Sequence, residues 1–249
     1  MNIAICQFDI EWENKEKNKF KIQSLLENNL THNEDWLIFP EMTLTGFSMN
    51  SSMAALDDSD LKFFKDIAIK HNIFITFGGS KDSQNKLFTI NKEGNNHFEY
   101  SKIHLFSFAK EDEYYKSGNR VSNFTIENAK ITPYICYDLR FPYLFWNTAG
   151  FTDIYVVIAN WPKSRREHWL TLLQSRAIEN QSYVIGVNRV GKDLSLEYSG
   201  DSVIVNPLGE ILIDAKEREG IFSCNADIKL VSKYREAFPI LKDRKGNFQ

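Results

Sequence analysis

The chain has 249 residues, 43% of them hydrophobic and 25% charged, with 30 basic and 33 acidic side chains and a formal net charge of −3. That length predicts a single domain over 1–249, with a core large enough to need no disulfide or metal staple. Nothing in the charge balance suggests a nucleic-acid or polyanion partner, and no long single-sign charge run occurs. Cys6, Cys136 and Cys224 are odd in number and far apart, which fits reduced thiols in a cytoplasmic protein. The opening residues lack the pattern of a secretory signal, and no run approaches about 18 apolar residues, so no membrane span is expected.

Short β-rich runs alternate with helical stretches. "NIAICQF" reads as a strand, and "NKEKNKFKIQSLLENNL" as a helix with Ile22, Leu25, Leu26 and Leu30 on one face. "DWLIFP" is a strand stopped by Pro40. "DDSDLKFFKDIAIKHN" repeats the helical spacing through Leu61, Phe64, Ile67 and Ala68, with Asp or Ser available as a cap. "IFITFGG" reads as a strand closed by its two glycines. "KLFTINKEGNNHFEYSKIHLF" and "NFTIENAKITPYIC" look like hairpins. "DIYVVIAN" is a strand buried on both faces. "SRREHWLTLLQSRAIEN" predicts a helix with Ser164 and Glu167 as a capping box and Trp169, Leu172, Leu173 and Ala177 inward. "YVIGVNRV", "DSVIVNPLGEILID" and "GIFSCNADI" are further strands, with "NPLGE" as a hairpin turn. Ten or more strands and four or five helices, with no repeat or linker, favour two packed sheets covered by helices.

The five histidines (His32, His71, His97, His104, His168) show no metal-ligand spacing. No Gly-rich phosphate loop and no G-x-S-x-G elbow occurs either. Three residues remain, each just past a predicted strand: Glu41 after "WLIFP", Lys102 after "HFEYS" and Cys136 after "ITPYI". Singly, each has a plainer reading: a helix-start carboxylate, a solvated lysine, a small core thiol. Cys6 and Cys224, inside apolar strands with no acid or base block beside them, keep the core reading.

In order, "LIFPEMTLTGF", "YSKIHLF" and "ICYDLRFP" resemble the three signature blocks of the nitrilase superfamily of carbon–nitrogen hydrolases. "CYDLRFP", "ANWPKSRREHW", "SRAIENQSYVIGVNRVG" and "YSGDSVIVNPLGE" look most like its omega-amidase branch. The resemblance implies an α/β, four-layer α-β-β-α sandwich of two packed mixed sheets flanked by helices, assembled as a homodimer or larger. The segment 227–249 would reach a partner subunit or pack on its own core. No cofactor is implied, and neither nucleic acid nor membrane is an expected partner. The implied catalytic residues are Glu41, Lys102 and Cys136, with a second glutamate at Glu111, or Glu113 as the alternative. The substrate class is an omega-amide of a 2-oxo dicarboxylic acid. Cys136 would attack the amide, Glu41 would carry protons, and Lys102 would face the oxyanion and lower the Cys136 pKa.

Such a substrate carries a carboxylate that needs a cationic partner. Arg140 is the first choice, followed by Lys163, Arg165 and Arg166, each of which has a surface ion pair as its plainer role. Tyr137, Trp161 and Phe47 are candidate pocket walls, against the plainer reading of core aromatics. Competing readings are a related hydrolase of nitriles, N-carbamoyl amino acids or other amides, a papain-like pair of Cys136 with His104, and a silent binding protein of the same fold.

Overall fold

The computed structural model describes residues 1–31 and 33–245. Its first strand, β1 (Asn2–Gln7), shows how the layers arise. Successive side chains leave opposite faces of a strand, so Ile3 and Ile5 enter the core between two sheets while Ala4 and Cys6 face helices. α1 (Lys15–Asn29) is capped by Asn14, and one-turn α2 (Ser51–Ala54) precedes α3 (Asp58–His71). Asp57 and Asp60 form a reciprocal capping box on α3. Ile22 and Leu26 of α1 and Phe64, Ile67 and Ala68 of α3 cover the outer face of the first sheet.

That sheet continues with β2 (Trp36–Ile38), β3 (Phe74–Lys81), β4 (Gln84–Ile90) and β5 (Asn96–Ser101). β1, β2 and β3 run parallel, while β4 pairs antiparallel with both β3 and β5. The second sheet holds β6 (Phe124–Ile126), β7 (Ala129–Ile135), β8 (Ile154–Ile158) and β9 (Tyr183–Val187), the last three parallel. A two-stranded ribbon, β10 (Val190–Lys192) and β11 (Glu197–Ser199), follows. β12 (Val203–Val205) and β13 (Ile211–Asp214) complete the second sheet, and β14 (Gly220–Asn225) returns to flank β1 in the first. The helices after β5 are α4 (Glu111–Tyr114), α5 (Pro142–Thr148), α6 (Arg166–Asn180) and α7 (Lys229–Ala237). Leu144, Phe145, Trp169, Leu173 and Ala177 pack α5 and α6 onto the second sheet, completing an α-β-β-α sandwich of two mixed sheets. Among the described residues no helix is long and apolar enough to cross a membrane.

Three local expectations are corrected. β3 does not close at Gly78–Gly79 but runs on to Lys81, and turns into β4 through Asp82 and Ser83, both at positive φ. Gly78 is there for close approach: a Cβ on it would lie 2.6 Å from the Glu41 Cα. The Ser164–Glu167 capping box does not form, because a 3₁₀ turn over Lys163–Arg165 delays α6 to Arg166, and Glu167 pairs with Arg166 instead. The described residues hold seven α-helices rather than four or five, two of them single turns that sequence periodicity cannot register. In the C-terminal segment 227–249, Val231 is buried and Arg235 donates to the carbonyls of Thr152 and Asn180, so α7 packs on its own chain. Residues 246–249 of that segment, like His32, lie outside the described residues.

Candidate active site

One edge of the sandwich gathers the ends of five strands. Parallel β2, β7 and β8 deliver Glu41, Cys136 and Asn160 just beyond their carboxyl ends. β5, beyond β4 in the sheet and in the same direction as β3, delivers Lys102; antiparallel β4 starts at that edge and supplies Asn85. This is the edge where open α/β sheets place ligand sites.

Glu41, Asn85, Lys102 and Glu111 are all fully buried. Lys102 Nζ donates to Glu41 Oε1 at 3.0 Å and to Glu111 Oε2 at 2.9 Å. The Asn85 amide donates to the same two carboxylates, at 2.7 Å to Glu41 and 2.8 Å to Glu111. Asn160 holds the other Glu41 oxygen through its backbone N–H, at 2.8 Å. Glu111 is fixed by the N–H of Phe106 at 2.6 Å, and the face of Phe47 lies 5.1 Å from the Lys102 ammonium. Glu113 is exposed and pairs with Lys110, so the alternative second glutamate is not in this cluster. Burial disfavours the Lys102 charge, but Glu111 and then Glu41 outweigh it and hold the ammonium well above its ordinary range.

Cys136 opens a 3₁₀ turn (Cys136–Arg140) with φ of +46°, a left-handed conformation that non-glycine residues rarely hold. Its thiol is pushed well above the ordinary value, first by burial and then by Glu41, with Lys102 pulling the other way and Glu111 adding to the rise. The expected lowering by Lys102 is present but outweighed. One cation facing two carboxylates leaves a net negative site, which opposes a resting thiolate. Cys6 is buried in the helix-facing core and Cys224 sits in β14 paired with Ile3, as expected of packing residues.

Cys136 lines a cavity that opens to solvent, the concave kind of surface that takes small molecules. Phe47, Tyr137, Trp161 and Arg140 all line it, with Tyr198 of β11 and the preceding Leu196. Arg140 stacks over Trp161 at 4.7 Å, and Arg165, also a lining residue, over Phe106 at 5.5 Å. Among the described residues no carboxylate pairs with either guanidinium, whereas Lys163 pairs with Glu217 and Arg166 with Asp201. Burial and then Arg165 lower the Arg140 pKa, as expected of two neighbouring cations. His104 engages Asp138 through Nδ1 and Tyr143 through Nε2, so both ring nitrogens are occupied away from Cys136.

The residue-level reading missed Asn85, Asn160 and Tyr198. Asn160 was within reach, since it follows a buried strand just as the other three do. Asn85, one polar letter at the start of "NKLFTI", carries no local signal.

The carbon-nitrogen hydrolase family model matches residues 2–236. The chain belongs to the carbon–nitrogen hydrolase family. Among relatives in this family, it is 32% identical over 251 residues to the 2-oxoglutaramate amidase of Bacillus subtilis, covering 97% of this chain and 96% of that one. It is 33% identical over 250 residues to the omega-amidase YafV of Escherichia coli, with 98% and 96% covered. The solved structure of a CN-hydrolase superfamily protein from Xanthomonas campestris, with an arsenic adduct in its active site, superposes with a TM-score of 0.92 at 29% identity, covering 100% and 98% of the two chains. The predicted superfamily and its sandwich architecture are borne out.

Proposed function

We propose that this carbon–nitrogen hydrolase is an omega-amidase, releasing ammonia from the terminal amide of a 2-oxo dicarboxylic acid such as 2-oxoglutaramate or 2-oxosuccinamate. Cys136 is the nucleophile. Because its thiol is raised, attack and deprotonation go together: Glu41 takes the S–H proton as sulfur bonds to the amide carbon. Lys102 and the Tyr137 backbone N–H face the oxyanion, with Lys102 kept charged by Glu111. Glu41 then hands the proton to the amide nitrogen, the C–N bond breaks, and ammonia leaves a thioester on Cys136. Glu41 next takes a proton from water, whose oxygen attacks the thioester carbon; the acid departs and the proton returns to sulfur.

The observation that carries this reading is the buried Lys102 ammonium shared between Glu41 and Glu111 at 3.0 and 2.9 Å, a charge cluster that acts on the cavity-lining Cys136. Substrate class is argued from Arg140 and Arg165, guanidiniums that pair with no carboxylate among the described residues. They suit the far carboxylate of an omega-amide. The same pair repels an ammonium, which favours 2-oxo acids over glutamine and asparagine. The names of the two amidase relatives support the same class.

The test is ammonia release from 2-oxoglutaramate, 2-oxosuccinamate, succinamate, glutamine, asparagine, an N-carbamoyl amino acid and a simple nitrile, with Cys136→Ala as blank. Turnover of the oxo-amides and succinamate, absent in the blank, is expected. Turnover of only the carbamoyl compound or the nitrile overturns the substrate class.

A further inference from the structure

Asp138 lies two residues after Cys136 and is fully buried. Each of its oxygens accepts one backbone N–H. Oδ2 takes that of Ile135, the residue before Cys136, at 3.2 Å; Oδ1 takes that of His104, two residues after Lys102, at 2.8 Å. The Tyr100 hydroxyl adds a bond to Oδ2 at 2.8 Å and the His104 ring a bond to Oδ1 at 2.8 Å. That ring is itself stacked on Phe141, 3.6 Å between centroids. One carboxylate thus ties the segment carrying Cys136 to the segment carrying Lys102.

The left-handed φ of Cys136 persists only where its surroundings enforce it. The Ile135 N–H bond to Asp138 closes a turn directly around Cys136, and supplies that enforcement. We propose that Asp138 is a positioning residue, which holds Cys136 in its left-handed conformation and sets its place relative to Lys102, with His104 as a strut rather than a base. This rests on the roles proposed above for Cys136 and Lys102.

Asparagine at 138 would keep the outline but has one acceptor oxygen and one NH₂. It can serve either the Ile135 N–H or the His104 N–H, and the other then faces a donor. In Asp138→Asn, kcat on succinamate falls at least about tenfold while KM stays within about threefold, because misplacement harms attack more than binding. Alkylation of Cys136 by iodoacetamide, followed by mass spectrometry, slows in step. In a folded variant, values within about threefold of the wild type, or a loss carried by KM alone, overturn the proposal. Should Asp138→Asn fail to fold, the double variant Tyr100→Phe/His104→Ala strips two of the four donors and keeps the carboxylate. Its alkylation is expected to slow about fivefold, the equivalent of one hydrogen bond, and an unchanged rate overturns the proposal. If the wild type hydrolyses no amide, the substrate reading fails alone, and the alkylation arm still decides the role of Asp138.

Discussion

Glu41 on the first sheet and Asn160 on the second hold each other in both directions. The Asn160 backbone N–H donates to the Glu41 carboxylate at 2.8 Å, and the Asn160 side-chain amide donates to the Glu41 backbone carbonyl at 2.6 Å. The proposed proton carrier is thereby locked to the sheet that carries the proposed nucleophile. In Asn160→Ala the carboxylate bond survives but a buried carbonyl loses its donor, costing about 1–3 kcal/mol of stability. We expect a lower Tm and a kcat reduced about tenfold through the looser carboxylate. An unaltered kcat would show that the amide bond does not orient Glu41.

Lys102→Met removes the one ammonium facing two buried carboxylates. Breaking such a cluster destabilises by about 3–5 kcal/mol. Loss of an oxyanion donor lowers kcat by about 10²–10³-fold. Denaturant unfolding and ammonia release measure the two effects separately, and a Lys102→Met protein with wild-type turnover would remove Lys102 from the mechanism.

The raised Cys136 thiol has a definite pH signature. Thiolate accumulates as pH rises towards a folded pKa above the ordinary thiol value of 9.0, so iodoacetamide labelling of Cys136 keeps climbing past that pH. Glu111 is one of the charges that raise the thiol, so Glu111→Gln shifts the labelling curve to lower pH. Labelling that levels off near neutrality would mean that the Lys102 charge dominates Cys136 after all.

Arg140→Met raises KM for 2-oxoglutaramate and succinamate by about 10–100-fold, the worth of a charge-assisted hydrogen bond. The effect on a neutral amide such as propionamide stays within about threefold. Equal losses on charged and neutral amides would assign Arg140 to the cavity wall alone.

Gly78→Ala places a methyl 2.6 Å from the Cα of Glu41 and from the Met42 nitrogen, both backbone atoms that cannot swing away. Such overpacking costs about 1–3 kcal/mol, and the displaced Glu41 lowers kcat along with Tm. Wild-type Tm and turnover in this variant would rule out a tight β3–Glu41 contact.

The sequence by itself determined the layers, the strand order along most of the chain, and the order of the signature blocks. The apolar runs of β1 and β8 and the helical stripes of α1, α3 and α6 are local patterns, written by neighbouring residues. Glu41, Lys102 and Cys136 each end a recognisable strand, but what marked them as a set was the resemblance of their three blocks to a known family. The tertiary structure alone decided what those residues face. Asn85 and Glu41 are 44 positions apart and Asn160 and Glu41 119, and nothing local records such a bond. It also decided which glutamate meets Lys102, which arginines escape carboxylate partners, and why Gly78 sits mid-strand. The sign of the Cys136 shift belongs here too. A lysine near a cysteine suggests a lowered pKa, but the outcome depends on burial and on every charge within reach, and those are properties of the folded chain.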